Sequence, residues 1–144
     1  MWRQVRLLNK SILGATMKNV AAGLILDEGT ILLTRRSPGQ NLAGYWEFPG
    51  GKQEAGETIQ ECLERELLEE LSLSCIAKEV FMESRYDYDG GSINLVGIIA
   101  QADCQPLTLT VHDLAEWVPI EDLMTFKLAP ADIPIAKALI KSHG

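Results

Sequence analysis

The chain has 144 residues, room for one domain and little more. Its 47% hydrophobic and 23% charged residues are the balance of a folded protein rather than a disordered one. Thirteen Lys and Arg against twenty Asp and Glu leave a net charge of −7, which argues against nucleic-acid binding, and no apolar run approaches the ~18–20 residues that cross a bilayer. Cys62, Cys75 and Cys104 form neither a Cys-x-x-Cys pair nor an even set, the pattern of free or buried thiols in a reducing, cytoplasmic setting.

Residues 1–16 are basic and mildly apolar. Asn9, Lys10 and Ser11 break the apolar run that a secretory signal needs, so 1–16 reads as an N-terminal extension to a domain over 17–144. Asn19 to Asp27 reads as a strand, Asp27-Glu28-Gly29 as a turn and Thr30 to Arg36 as its hairpin partner. A loop over 37–41 precedes a short strand, Tyr45 to Phe48, stopped by Pro49-Gly50-Gly51. Glu57 to Leu71 has helical periodicity, with Ile59, Leu63, Leu67 and Leu71 four residues apart. Strands are expected near 73–86, 92–102 and 114–118, a short helix at 119–123, and a docking helix near 131–141. Strands interleaved with helices imply an α+β or α/β fold with a mixed sheet.

The helix carries the chemistry. Ile59, Leu63, Glu66 and Glu70 follow one another at spacings of four, three and four, so an apolar stripe continues into carboxylates, with Glu69 within a turn. Like charges at such spacings destabilise a bare helix by roughly 0.2–0.5 kcal/mol per pair, and burying them unpaired costs several times more. A divalent cation relieves both penalties; oxygen ligands without His or Cys suit Mg²⁺, or Mn²⁺ in its place, rather than zinc. A solvated acidic face laced by Glu61–Arg65 and Arg65–Glu69 pairs is the competing explanation. The preceding Pro49-Gly50-Gly51-Lys52 turns the balance toward a ligand. Its glycines let backbone approach closely, the helix N-terminus favours phosphate, and Lys52 adds a positive charge.

From Gly51 through Glu57 to Arg65-Glu66-Leu67-Leu68-Glu69-Glu70-Leu71-Ser72-Leu73, the chain resembles the Nudix box, G-x5-E-x7-R-E-U-x-E-E-x-G-U. Ser72 stands where the family has glycine, a departure in turn shape rather than in catalytic groups. Thr34-Arg35-Arg36, Trp46 to Lys52, Glu116-Trp117 and Leu128 to Pro134 are similar to the MutT-like branch, and the last segment to CTP pyrophosphohydrolases. The resemblance spans about Met17 to Ile140. It implies an α/β class fold, an α/β/α sandwich with a mixed sheet, Mg²⁺ dependence, and hydrolysis of a nucleoside triphosphate to monophosphate and pyrophosphate.

By the same resemblance, Glu66, Glu69 and Glu70 with the Gly50 carbonyl would hold metal, and Glu57 and Arg65 would orient them. A further metal-binding carboxylate is expected from the late loop: Asp113, or Glu116 as second choice, unless Asp113 only caps a turn. Arg36 would contact phosphate, or simply end an exposed strand. Asn41, Glu47, Phe48 and Asp132 would line the nucleotide pocket, although Phe48 could be plain core and Asp132 a helix cap. An ionised Asp132 only accepts hydrogen bonds, which suits the exocyclic amine of cytosine and the N–H groups of an oxidised guanine alike. The expected partner is the nucleotide, with no nucleic acid or membrane, in a monomer or homodimer. A hydrolase of another nucleoside diphosphate such as ADP-ribose, and a non-catalytic nucleotide-binding module, are the alternatives.

Overall fold

The computed structural model describes residues 17–102 and 106–143; the 1–16 extension and Cys104 lie outside them. β1 (Met17–Asp27) is the axis of a seven-stranded mixed sheet. It turns through Gly29 into β2 (Thr30–Arg36), its antiparallel partner. β3 (Trp46–Glu47) pairs with β2, and β4 (Gly50–Lys52) with β1. After α1 (Ile59–Leu71), the hairpin of β5 (Cys75–Tyr88) and β6 (Gly91–Ala102) returns so that β6 lies parallel to β1 over nine residue pairs. β7 (His112–Pro119) runs antiparallel to β2. A 3-10 turn over Ile120–Thr125, another over Pro130–Asp132 and α2 (Ile133–His143) complete the chain.

Two faces follow from the two-residue period of β1 and β2. Ala21, Ile25 and Leu32 meet Leu63, Leu67 and Leu71 of α1. Ala22, Leu24, Ile31 and Leu33 meet Ile135, Ala136 and Leu139 of α2. The result is the expected α/β/α sandwich around a mixed sheet.

The observed boundaries depart from the sequence expectation where backbone geometry overrides propensity. α1 starts at Ile59 rather than Glu57, because Thr58 caps it: its hydroxyl accepts from the Glu61 N–H while the Glu61 carboxylate accepts from the Thr58 N–H. Glu61 is therefore engaged at the cap rather than with Arg65. The short strand ends at Glu47, and Gly50 and Gly51, expected as part of a stop, form with Lys52 a strand of their own. Gly50 is required there: a Cβ on it would lie 1.8 Å from the Ala21 carbonyl oxygen. The final helix begins two residues later than expected, after the turn that contains Asp132.

Candidate active site

A cavity of about 700 Å³ opens beside β4 and the second half of α1. One wall carries Gly50, Gly51, Lys52, Glu66 and Glu70; another carries Phe48, Ala131 and Asp132; Arg36, Asn41, Glu47 and His112 also line it. The fold brings these groups together because β4 lies against β1 while α1 crosses the sheet above it. Gly51 makes the approach possible, since a Cβ there would sit 2.0 Å from Glu66 Oε1.

Arg65 is the hub of the acidic face. Its Nε and Nη2 donate to the two Glu57 oxygens at 3.0 and 2.9 Å, and Nη1 donates to Glu66 at 2.6 Å and Glu69 at 3.1 Å. Nη2 also reaches the Lys52 carbonyl at 3.2 Å, fastening helix to loop. These bonds, with the Glu54 N–H as a further donor to Glu57, pull the Glu57 carboxyl down to about 2. Glu57 and Arg65 thus form a fixed bracket behind the cavity, and neither lines it.

Glu70 is the opposite case. Its Oε1 is buried with no hydrogen-bond partner, and burial, then the charges of Glu66 and Glu47, push its carboxyl up to about 8. A buried carboxylate oxygen without a donor lacks the partner that native proteins supply for such groups. The backbone around it is firmly held: the Thr108 and Thr110 N–H groups donate to the carbonyls of Leu71 and Glu70 at 2.9 and 3.1 Å, closing the end of α1. Among the described residues no three carboxylate, imidazole or thiol groups converge into a ready ligand set, because Arg65 holds Glu66 and Glu69. Glu69 is mostly exposed, with 59% of its side chain accessible, and stays outside the cavity lining.

At the other wall, Asp132 is buried and its Oδ2 accepts the Phe48 N–H at 2.9 Å. Burial, then the Glu47 charge, hold its carboxyl well above the ordinary range. Phe48 is both core and cavity wall. Arg36 donates from Nη1 to Glu47 at 3.0 Å and from Nε to the Asn41 carbonyl, tying the loop over 37–44 to the cavity.

Asp113 requires a correction. Its carboxylate is held by Arg35 Nε and Nη2 at 2.9 and 2.8 Å and does not line the cavity, so it is no partner of Glu66 or Glu70. A β-bulge is the reason: Arg35 pairs with Leu114 but Arg36 pairs with His112, leaving Asp113 as the extra residue. The bulge turns Asp113 to Arg35 and brings His112 into the cavity wall. Glu116, the second choice, does not line the cavity either. Sequence reasoning missed His112, and its only signal, a histidine one position before the chosen acid, becomes informative with the bulge.

Fold and site together define an α/β/α domain whose acidic helix and Gly-Gly strand share one cavity with a buried acid. A NUDIX domain model matches residues 17–139. Over 124 residues the chain is 34% identical to the CTP pyrophosphohydrolase of Escherichia coli K12, covering 86% of this chain and 92% of that protein. Over 70 residues it is 46% identical to the 8-oxo-dGTP diphosphatase of Haemophilus influenzae, covering 48% of this chain and 52% of that protein. The solution structure of the E. coli ORF135 protein superposes with a TM-score of 0.77 at 32% identity, over 89% and 91% of the two chains. The chain belongs to the Nudix family.

Hydrolases of this family generally use a divalent metal ion. The residues here fit one: Glu70 has a buried oxygen without a donor, Glu66 lies against Gly51, and all the available ligands are hard oxygens. Among the described residues the two thiols offer no competing nucleophile, as burial pushes Cys62 and Cys75 up to about 12 and about 11.

Proposed function

We propose that this Nudix hydrolase cleaves a nucleoside triphosphate, a cytidine or oxidised guanosine nucleotide, to the monophosphate and pyrophosphate, with Mg²⁺ at Glu66, Glu70 and the Gly50 carbonyl, in the cytoplasm. One observation carries the reading: a single cavity joins Glu70, whose buried oxygen has no donor, and the Arg65-held Glu66 on α1 to a buried acid on the opposite wall. That arrangement suits a ligand with an anionic tail at one end and a hydrogen-bonding base at the other. The names of the two relatives, CTP pyrophosphohydrolase and 8-oxo-dGTP diphosphatase, agree with it.

Bound at the acidic end, the cation would neutralise phosphate charge and lower the pKa of a coordinated water. The chain's own groups do the rest. Arg65 fixes the direction of Glu66 and leaves Glu70 as the free buried carboxylate. Glu69, mostly exposed and bonded to Arg65, would join them as a ligand only by exchanging that bond. Lys52 and Arg36 give the phosphate tail cationic partners in an otherwise acidic protein. Asp132, fixed by the Phe48 N–H, retains Oδ1 for the base edge, and Phe48 supplies an apolar wall.

The test is pyrophosphate release across CTP, dCTP, dGTP and 8-oxo-dGTP. At least one of these should be turned over in Mg²⁺ and none in excess chelator. Asp132→Ala should reorder the substrates more than it slows the best one. An unchanged ranking in that variant removes Asp132 from base recognition, and no release from any of the four removes the function.

A further inference from the structure

His112 has no part in the sequence-derived site, yet it is among the most buried polar side chains in the chain, 2% exposed, and it lines the cavity. Its Nε2 lies 3.0 Å from Glu47 Oε2. A bare nitrogen would turn its lone pair on the carboxylate, so the proton sits on Nε2 and His112 donates. The other oxygen, Oε1, is held at 3.0 Å by Arg36 Nη1. Glu47 is therefore gripped at both oxygens by groups that the β2–β7 bulge places opposite each other. Two donors on two oxygens fix the carboxylate plane and leave its remaining lone pairs for a ligand.

The position of Glu47 gives this grip a purpose. Glu47 lines the same cavity as Glu66, Glu70 and Asp132, and the N–H of Phe48, the next residue, holds Asp132, so Glu47 faces a ligand that reaches from the acidic end to the buried acid. In a nucleotide the sugar lies between phosphates and base. A carboxylate at the middle selects a ligand that brings donors there, such as sugar hydroxyls, and a swinging one would lose that selection.

We propose that His112 is a positioning residue: its Nε2–H, opposed by Arg36, holds the Glu47 carboxylate where the middle of the nucleotide crosses the cavity. This rests on the nucleotide-hydrolase reading above. The role needs the donor and the bulge together, since an unbulged β7 would pair Asp113 with Arg36.

The experiment is a double-mutant cycle on His112 and Glu47, with KM and kcat for the best nucleoside triphosphate in Mg²⁺. His112→Leu should raise KM roughly tenfold while kcat changes less than about threefold, the size expected for one lost bond to a charged group. His112→Gln, which keeps a donor at the ε position, should recover most of that loss. On a Glu47→Ala background, His112→Leu should add less than about a twofold further change. A full additional tenfold there, or no KM change in the single variant, overturns the proposal. Should His112→Leu not fold, the imidazole ¹⁵N spectrum decides, and two histidines make assignment simple. His112 should carry a proton on Nε2, with a signal that shifts in Glu47→Ala; a proton on Nδ1 alone, or no shift, refutes the grip. Failure of the wild-type protein to release pyrophosphate from any nucleoside triphosphate is a separate result, and it removes the function on which the role rests.

Discussion

Arg65 and Glu57 show how one residue pair carries both order and pH sensitivity. Arg65 spreads its donors over Glu57, Glu66, Glu69 and the Lys52 carbonyl, a fork that a lysine ammonium cannot reproduce. Arg65→Lys should therefore cut turnover by on the order of tenfold or more while the protein still folds, as read by steady-state rates and circular dichroism. The pair also sets an acid limb. The Glu57 carboxyl is drawn down to about 2 from an ordinary value of 4.5, so its contribution to stability is complete above 4.5 and fades as pH falls from there toward 2. Urea unfolding between pH 5 and 2 should accordingly fall less steeply in Glu57→Gln than in the wild type, and parallel curves would show that the bracket does not contribute.

At the level of elements, α1 was legible and the strands around it only partly so. The spacing of Leu63, Leu67, Glu66 and Glu70 dictates which face is buried and which is acidic, and the structure follows it. Thr58 and Glu61 carried a readable capping box that moves the helix start past Glu57. β4 was hidden because glycines are poor strand formers and only the approach to Ala21 reveals why they are needed. The placement of Asp113 was not legible at all: a bulge is an event between two strands, and no local pattern in one of them announces it. Ser72 ends α1 at φ 53, ψ 35, the left-handed conformation in which the motif has glycine, and its N–H closes onto the Leu67 and Leu68 carbonyls. Ser72→Gly relieves the Cβ penalty there against a small loss to unfolded-chain entropy. It should stabilise the protein by roughly 0.5–1 kcal/mol, a Tm rise of about 1–4 °C, without changing kcat. A lower Tm would mean that the serine side chain makes a contact worth more than the strain.

For the molecule as a whole, a net charge of −7 and an anionic substrate oppose each other, and the acidic end of the cavity concentrates the conflict. Glu70 is its most sensitive point. With its carboxyl raised to about 8 from 4.5, the ligand-free protein loses stability as pH climbs through that interval, since the folded state must release a proton it holds more tightly than the unfolded chain does. Glu70→Gln has no proton to lose and keeps much of the shape. In chelator near pH 9 the variant should therefore be the more stable of the two, by on the order of 1–3 kcal/mol. Mg²⁺ should reverse the order. A cation bound only by the folded wild type adds about 2.7 kcal/mol at a concentration one hundred times its Kd, and the amide cannot supply the charge that binds it. Thermal melts of both proteins in chelator and in Mg²⁺ read the crossing directly. If both respond equally to Mg²⁺, Glu70 is not a ligand and the buried oxygen must be satisfied in another way; if the curves cross, one carboxylate accounts for the instability of the empty site and for its affinity.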